Sequence, residues 1–396
     1  MENLVAWSRQ KVEEQREELV HAYLKDNESM EEICRRFGIS RKTGYKWCNR
    51  YKQLGSKGLI DLSNRPKDPY TVYPQEIVDM AMDLKLKKRK WGPRKILAIL
   101  KRTYPRIDWP CPTRLYEIFK TNGLILPRRL RGRIPATHPL QECNGANKTW
   151  MADFKGWFLT GDKQKCEPLT ITDGHTRYLI KCVHTEYKSC EYVWPIFEEA
   201  FLEYGLPNRV RTDNGPPFGT IGAGRLSELS IKLIKAGVVP EWINPGHPEE
   251  NGRHERFHRT LKEAVAEPPA TTLEEQIRRM AIFQDEYNFE RPHEALNMDS
   301  PAQHYNQSVR KWDGVLRSPE YDSQEMLVRK VCQSGCIWIK QAEHYVSQTL
   351  SGEYVGIKEG EDGFEVQYGP VYLGRLKEGR KRIEKPKLAK KPMIRR

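Results

Sequence analysis

Arg209-Val-Arg-Thr-Asp-Asn-Gly215 decides how the middle of this chain is read. Arg209–Thr212 has the character of a short buried strand, and Asn214-Gly215 is a turn signal that stops it. Asp213 is thereby presented at a strand's C-terminal end, where open α/β sheets bind ligands. Working outward, the next informative stretch is Asn244-Pro-Gly-His-Pro-Glu-Glu-Asn-Gly-Arg-His-Glu255-Arg-Phe-His-Arg-Thr-Leu-Lys262. Pro245, Gly246 and Pro248 predict a loop, followed by a helix from about Glu250. Glu255, Arg259 and Lys262 then fall at i, i+4 and i+7 on one helical face. A carboxylate followed by two cations suits a group that holds a metal while its neighbours hold phosphates. Glu249 and Glu250 are rival acids, in the loop or first turn, where they favour the helix dipole.

A third carboxylate lies upstream, in Thr149-Trp-Met-Ala-Asp153-Phe-Lys-Gly-Trp-Phe-Leu159. The segment is apolar and aromatic, as a central strand should be, yet Asp153 interrupts it. A buried aspartate is costly unless paired, hydrogen-bonded or bound to a metal.

Together, Trp150-x-x-Asp153, Thr212-Asp-Asn-Gly215 and Gly252-x-x-Glu255 with Leu261-Lys262 resemble the catalytic core of retroviral-integrase-like transposases. Tyr287-Asn-Phe-Glu-Arg-Pro-His-Glu-Ala-Leu296 resembles a segment of bacterial insertion-sequence transposases in that superfamily. The resemblance covers residues from about 28 to the C-terminus. One departure is visible: 41 residues separate Asp213 from Glu255, more than in compact members. The surplus is assigned to Gly215–Arg225, rich in proline and glycine.

Charge is segregated along the 396 residues. The net charge is +14 over residues 1–150, −9 over 151–374 and +9 over 375–396, for a total of +14. Basic modules flanking an acidic middle fit DNA-binding arms around a metal-dependent core. The length implies several domains. The nine cysteines form no C-x-x-C pair, and His21 is the only histidine before residue 138. A zinc-binding N-terminal module is therefore not expected. Cys332 and Cys336 are placed to meet across a hairpin, although a disulfide is unusual in a reducing compartment. No membrane span or signal peptide is expected, which points to a bacterial cytoplasmic, nucleoid-associated protein.

The expected fold class is multidomain α+β. A helix-turn-helix unit is assigned to residues 1–68. Helix 9–25 precedes a capping box at Ser29-Met-Glu-Glu32, a glycine turn at Gly38 and a basic recognition helix from Arg41. Arg41, Lys42, Tyr45 and Lys46 are its candidate DNA-binding residues. In the Pro-rich stretch that follows, Arg65 and Lys67 are candidates for a minor-groove arm. A second helix-turn-helix unit spans 69–135, where the resemblance directs Arg94, Lys95, Thr113 and Arg114 toward DNA. A linker at 136–148 leads to a ribonuclease-H-like catalytic core at 149–310. Its strands are expected at 149–158, 168–173, 177–183, 209–212 and 238–242, and its helices at 191–204, 225–236, 250–266 and 272–288. Asp173 lies in a turn between strands and is read as structural. A small β-barrel at 311–376 and a basic tail at 377–396 complete the chain.

Three carboxylates without a paired nucleophile and base argue against covalent catalysis. Hard oxygen ligands suit Mg²⁺, with Mn²⁺ as a substitute. The resemblance implies two ions, bridged by Asp153 and completed by Asp213 and Glu255. It also implies a transposase that acts without a nucleotide cofactor, as a homo-oligomer, on double-stranded DNA comprising element ends and target. Arg259 and Lys262 would position that DNA. Two alternatives remain: a catalytically inactive transposase-derived DNA-binding protein, and a ribonuclease-H-like nuclease without strand transfer. The three carboxylates count against the first, and the flanking basic units against the second.

Overall fold

The computed structural model describes residues 12–61, 73–125, 143–244, 252–360, 363–377 and 379–385, without the side chain at 253. Arg65, Lys67, Glu249, Glu250, most of the basic linker and most of the tail therefore lie outside the described residues. The chain divides into two compact units, one up to Tyr73 and one from Pro74 onward.

In the first unit, α1 (Val12–Leu24), α2 (Met30–Arg36) and α3 (Arg41–Leu54) enclose Leu19, Val20, Ile33, Trp47 and Leu59. The capping box forms as expected: Ser29 N donates to Glu32 Oε2 at 2.9 Å, and Glu32 N to Ser29 Oγ at 3.4 Å. Gly38 takes φ +66°, which lets the chain reverse between α2 and α3. Ser40 Oγ then caps α3 by accepting from Thr43 N at 3.2 Å. Buried Arg16 stacks 3.8 Å from the Trp47 ring and donates to Leu59 O at 2.7 Å, tying α1 to the end of the unit.

The second unit begins with α4 (Gln75–Lys87), α5 (Pro93–Thr103) and α6 (Pro112–Thr121), packed around Trp91, Ile96, Leu100, Leu115 and Phe119. Lys88 ties this bundle to the helix that precedes residue 291, pairing with Glu286 at 3.0 Å and Glu290 at 2.9 Å.

The core is a five-stranded sheet in the order β5-β4-β1-β6-β7. Its strands are β1 (Thr149–Phe154), β4 (Pro168–Asp173), β5 (Leu179–His184), β6 (Arg209–Thr212) and β7 (Val239–Trp242). β4 is antiparallel to both β1 and β5, and β1, β6 and β7 run parallel. The C-terminal ends of β1, β5, β6 and β7 therefore share one edge, while that of β4 lies at the other. The first expected strand is shorter than 149–158. Phe158–Leu159 (β2) instead pairs with Lys165–Cys166 (β3) in a separate hairpin.

Strand periodicity sorts β1 between two layers. Trp150 and Ala152 pack toward α7 (Cys190–Tyr204) and α8 (Glu228–Lys235), against Phe197, Phe201 and Leu229. The opposite layer holds α9 (Gly252–Leu261) and α10 (Leu273–Asp285), with Phe257, Leu261, Met280 and Phe283 around Leu179 and Cys182. Asp153, one residue out of phase with Trp150 and Ala152, faces α9. The expected helix over 225–236 begins at Glu228, because Ser227 and Ser230 form a capping box there.

The C-terminal β-barrel expectation needs correction. Strands β8 (Leu327–Lys330), β11 (Tyr354–Gly360), β12 (Gly363–Tyr368) and β13 (Val371–Leu376) form an open antiparallel sheet in the order β13-β12-β11-β8. β9 (Cys336–Ile339) and β10 (Ala342–Tyr345) form a separate hairpin. No ladder between strands closes a barrel among the described residues. Closure is unnecessary because the exposed apolar face is covered from outside: Ala223, Leu226, Ile231 and Ile234 enter the same cluster as Val355, Val366 and Leu373. The Gly215–Arg225 surplus is thus a docking element. A Cβ at Gly224 would lie 2.7 Å from Leu373 Cδ2, so side-chain-free backbone is required there.

Candidate active site

The parallel register pairs Thr149, Trp150 and Met151 with Arg209, Val210 and Arg211. Continuing it sets Asp153 beside Asp213, which immediately follows β6. Asp213 is held by its own turn, its Oδ1 accepting from Gly215 N at 3.2 Å. Asn214 Nδ2 donates to Ile243 O at 2.8 Å and so fastens the turn beyond β7. Arg225 Nη1 in turn donates to Asn214 Oδ1 at 2.8 Å. Glu255 comes from the opposite layer, on the first turn of α9, and is exposed.

The three acids share one electrostatic environment. Burial, then the charge of Asp213 and more weakly that of Glu255, pushes the Asp153 carboxyl up to about 7. Burial also raises Asp213. The Lys188 ammonium acts in the other direction on both aspartates. Lys188 pairs with Glu167 at 2.6 Å, and its Nζ lies 4.8 Å from the Phe154 ring centroid.

Sequence reasoning missed the groups nearest Asp153. His254 and His258 flank Glu255 at i−1 and i+3, and with Asp153 they bring potential ligand atoms within 4.8 Å of one another. Thr170, cross-strand partner of Asp153, forms a hub. Its Oγ1 donates to Asp153 O at 3.0 Å and lies 2.8 and 2.9 Å from Nε2 of His254 and His258. Because that hydroxyl proton is committed, both imidazoles serve as Nε2–H donors. Burial holds both rings neutral, with His254 lowered to about 3 and His258 to about 2. His258 Nδ1 stands 4.0 Å from Asp153 Oδ2. The available signal was a pair of histidines four residues apart around the candidate acid. Lys188 was marked by its position just beyond β5, on the same sheet edge.

Asp173 is the structural acid that the sequence indicated. It is fully buried, and its carboxylate accepts from Asn147 N, His175 N, Thr176 N and Thr176 Oγ1 at 2.7–3.2 Å. Because β4 is antiparallel, Asp173 lies opposite Trp150, away from the Asp153 edge.

The cations distribute unevenly. Arg41, Lys42, Tyr45 and Lys46 are all exposed on α3. Arg94 and Thr113 are exposed, Lys95 is half-buried, and half-buried Arg114 pairs with Glu117 at 3.0 Å. Arg259 is exposed on α9. Lys262 follows the last residue of α9 and begins a π-turn at Lys262–Ala266. Its ammonium pairs with Glu267 at 2.7 Å.

Comparison with known proteins identifies two modules. Residues 236–301 match the integrase core domain, and residues 15–67 match a helix-turn-helix domain. The 31.7 kDa protein of insertion element IS407 from Burkholderia multivorans is 27% identical over 252 residues, covering 63% of this chain and 86% of that protein. The 39.2 kDa protein of insertion element IS476 from Xanthomonas euvesicatoria is 27% identical over 220 residues, covering 54% of this chain and 60% of that protein. Among solved structures, the simian T-cell lymphotropic virus intasome in complex with a PP2A regulatory subunit superposes with TM-score 0.37 at 12% identity, over 75% of this chain and 99% of that one. The HTLV-2 integrase catalytic core in complex with magnesium gives TM-score 0.32 at 17% identity, over 41% and 99%. Both superpositions are loose.

Proposed function

Because the chain is an insertion-sequence transposase of the integrase superfamily, we propose that it binds its element's inverted-repeat ends, cleaves them to free 3′-OH groups and joins these to target DNA. The observation that carries this reading is the convergence of Asp153, Asp213 and Glu255 at one sheet edge, where Asp153 is driven up to about 7. The three carboxylates are hard oxygen donors that fit Mg²⁺, or Mn²⁺ in its place. Asp153, Asp213 and Glu255 would hold the ions. When bound, a pair of them supplies charge stabilisation at the attacking and leaving oxygens of an in-line displacement at phosphorus.

Each step exchanges one P–O bond for another. Water displaces a 3′-oxygen at the element end, and the freed hydroxyl then displaces a 3′-oxygen of the target. No nucleotide cofactor is required. Arg259 holds a phosphate beside Glu255, and Lys262 joins it by exchanging Glu267 for DNA. Thr170, His254 and His258 fix the strand end that carries Asp153. In the first unit, the exposed Arg41, Lys42, Tyr45 and Lys46 enter the major groove, with Arg65 and Lys67 along the minor groove. Arg94, Lys95, Thr113 and Arg114 extend the footprint, and two ends imply a homo-oligomer on DNA.

The test uses duplex oligonucleotides carrying the inverted repeats that flank the gene. With Mg²⁺ the full chain should nick them to 3′-OH ends and join these to a second duplex, and EDTA should stop both steps. A fragment of residues 1–135 should bind the repeats well above random DNA without cleaving them. Binding without any cleavage by the full chain would instead favour a catalytically inactive DNA-binding protein.

A further inference from the structure

In the C-terminal part of the chain, the turn into β9 gathers a second group of ligating side chains. Cys332-Gln-Ser-Gly-Cys336 closes on itself, with Cys332 N donating to Cys336 O at 2.8 Å and Gly335 N to Cys332 O at 2.9 Å. Gly335 sits at φ +82°, and a Cβ there would lie 2.8 Å from Gln348 N and from Ser347 C, so the turn is pinned against the segment after β10. β9 pairs with β10 in the register Cys336↔Tyr345 and Trp338↔Glu343. Glu343 is therefore diagonal to Cys336 on the same, outer face, within reach of a long side chain. The inner face carries Ile337 and Ile339, both buried.

We propose that Cys332, Cys336 and Glu343 form a binding site for a thiophilic divalent cation, Zn²⁺ in the first instance, that staples the turn to the β9–β10 hairpin. Ligand atoms from the three residues lie within 4.8 Å of one another. That separation is close to what Zn–S bonds of about 2.3 Å and a Zn–O bond of about 2.0–2.2 Å permit. Three residues separate the cysteines, within the two-to-four range of zinc-binding pairs. Ser334 Oγ lies 2.8 Å from Cys332 Sγ and is placed to donate to the thiolate, an outer contact of the kind that orients metal ligands. That contact pulls the Cys332 thiol below its ordinary value, whereas burial raises Cys336. Both thiols are partly exposed, so an ion can enter, and a water completes four-coordination. Thiolate donors distinguish this site from the three carboxylates proposed to hold Mg²⁺, so Mg²⁺ does not compete for it.

The test titrates the reduced, chelator-treated full-length protein with Co²⁺, a spectroscopic stand-in for Zn²⁺. One equivalent should bring up sulfur-to-cobalt charge transfer in the near ultraviolet, and Zn²⁺ should abolish it. The band should be lost in Cys332→Ser and in Cys336→Ser, and should shift to higher Co²⁺ in Glu343→Gln. In the unmodified protein, Zn²⁺ should protect Cys332 and Cys336 from alkylation as mapped by peptide mass, which makes the test independent of how the variants fold. The proposal is overturned if the double serine variant keeps the band, if Zn²⁺ leaves both thiols fully reactive, or if the pair closes to a disulfide that binds no metal.

Discussion

Asp153 and Asp173 sit on the same antiparallel pair of strands and face opposite fates. Asp173 ends β4, where the turn that follows supplies three donors and Asn147 N, before β1, supplies a fourth. Asp153 lies near the end of β1, where the adjoining parallel strand and the overlying helix bring more carboxylates. A buried acid given enough donors is architecture. One set beside other acids gains most from a bound cation, and strand direction decides which edge each occupies.

The sharpest way to break this comparison is to remove each charge in turn and measure end cleavage per folded molecule. A metal ligand contributes several kcal/mol to the transition state. Asp153→Asn, Asp213→Asn and Glu255→Gln should therefore each lose about 10³-fold or more at 1.36 kcal/mol per decade. Asp173→Asn should cleave at close to the wild-type rate. Wild-type rates for any of the first three would remove that residue from the site.

A second difference should appear with pH in metal-free protein. Asp153 is pushed up to about 7, above its unfolded value, so between about pH 4 and 7 the native state binds more protons than the unfolded one. Stability should fall as pH rises through that window, by on the order of 4 kcal/mol. Urea unfolding at several pH values in EDTA would show this slope, and Asp153→Asn should flatten it. An equal slope in the variant would locate the titration elsewhere.

Stability should then invert the ranking of the two aspartates. Asp173→Asn turns an acceptor into a donor facing buried N–H groups and should cost about 3 kcal/mol. In EDTA at pH 8, Asp153→Asn should unfold at higher urea than wild type. Thr170→Val should have the smallest effect, about 2 kcal/mol, because it leaves Nε2 of His254 and of His258 without their shared hydroxyl partner. Its cleavage rate should fall more than its stability, since the strand end carrying Asp153 loses its tether.

These contrasts also mark what the sequence could convey. The glycine-led helix-turn-helix and the structural Asp173 were legible because each rests on local signals: turn residues, caps and period. The three acids were proposed from motifs whose order resembles the integrase core, not from local signals alone. Asp153 could be placed on a strand, but its partners Thr170, His254 and His258 are brought together by strand pairing and helix packing across 84 and 88 residues. Lys188 escaped notice for the same reason. The π-turn that begins at Lys262 has no signature in hydrophobic spacing. The C-terminal strands were legible, but the cover supplied by α8 and the 223–226 segment, which makes a closed barrel unnecessary, was not.

The most direct test of the central claim is the thermal shift produced by Mg²⁺ at pH 8 in the wild type, Asp153→Asn and Asp173→Asn. A ligand that binds only the folded state stabilises it in proportion to its binding. Mg²⁺ should raise the melting temperature of the wild type and, from a lower baseline, that of Asp173→Asn, while leaving Asp153→Asn unmoved. An equal rise in Asp153→Asn, or no rise in the wild type, would contradict the assignment of Asp153, Asp213 and Glu255 as a metal site.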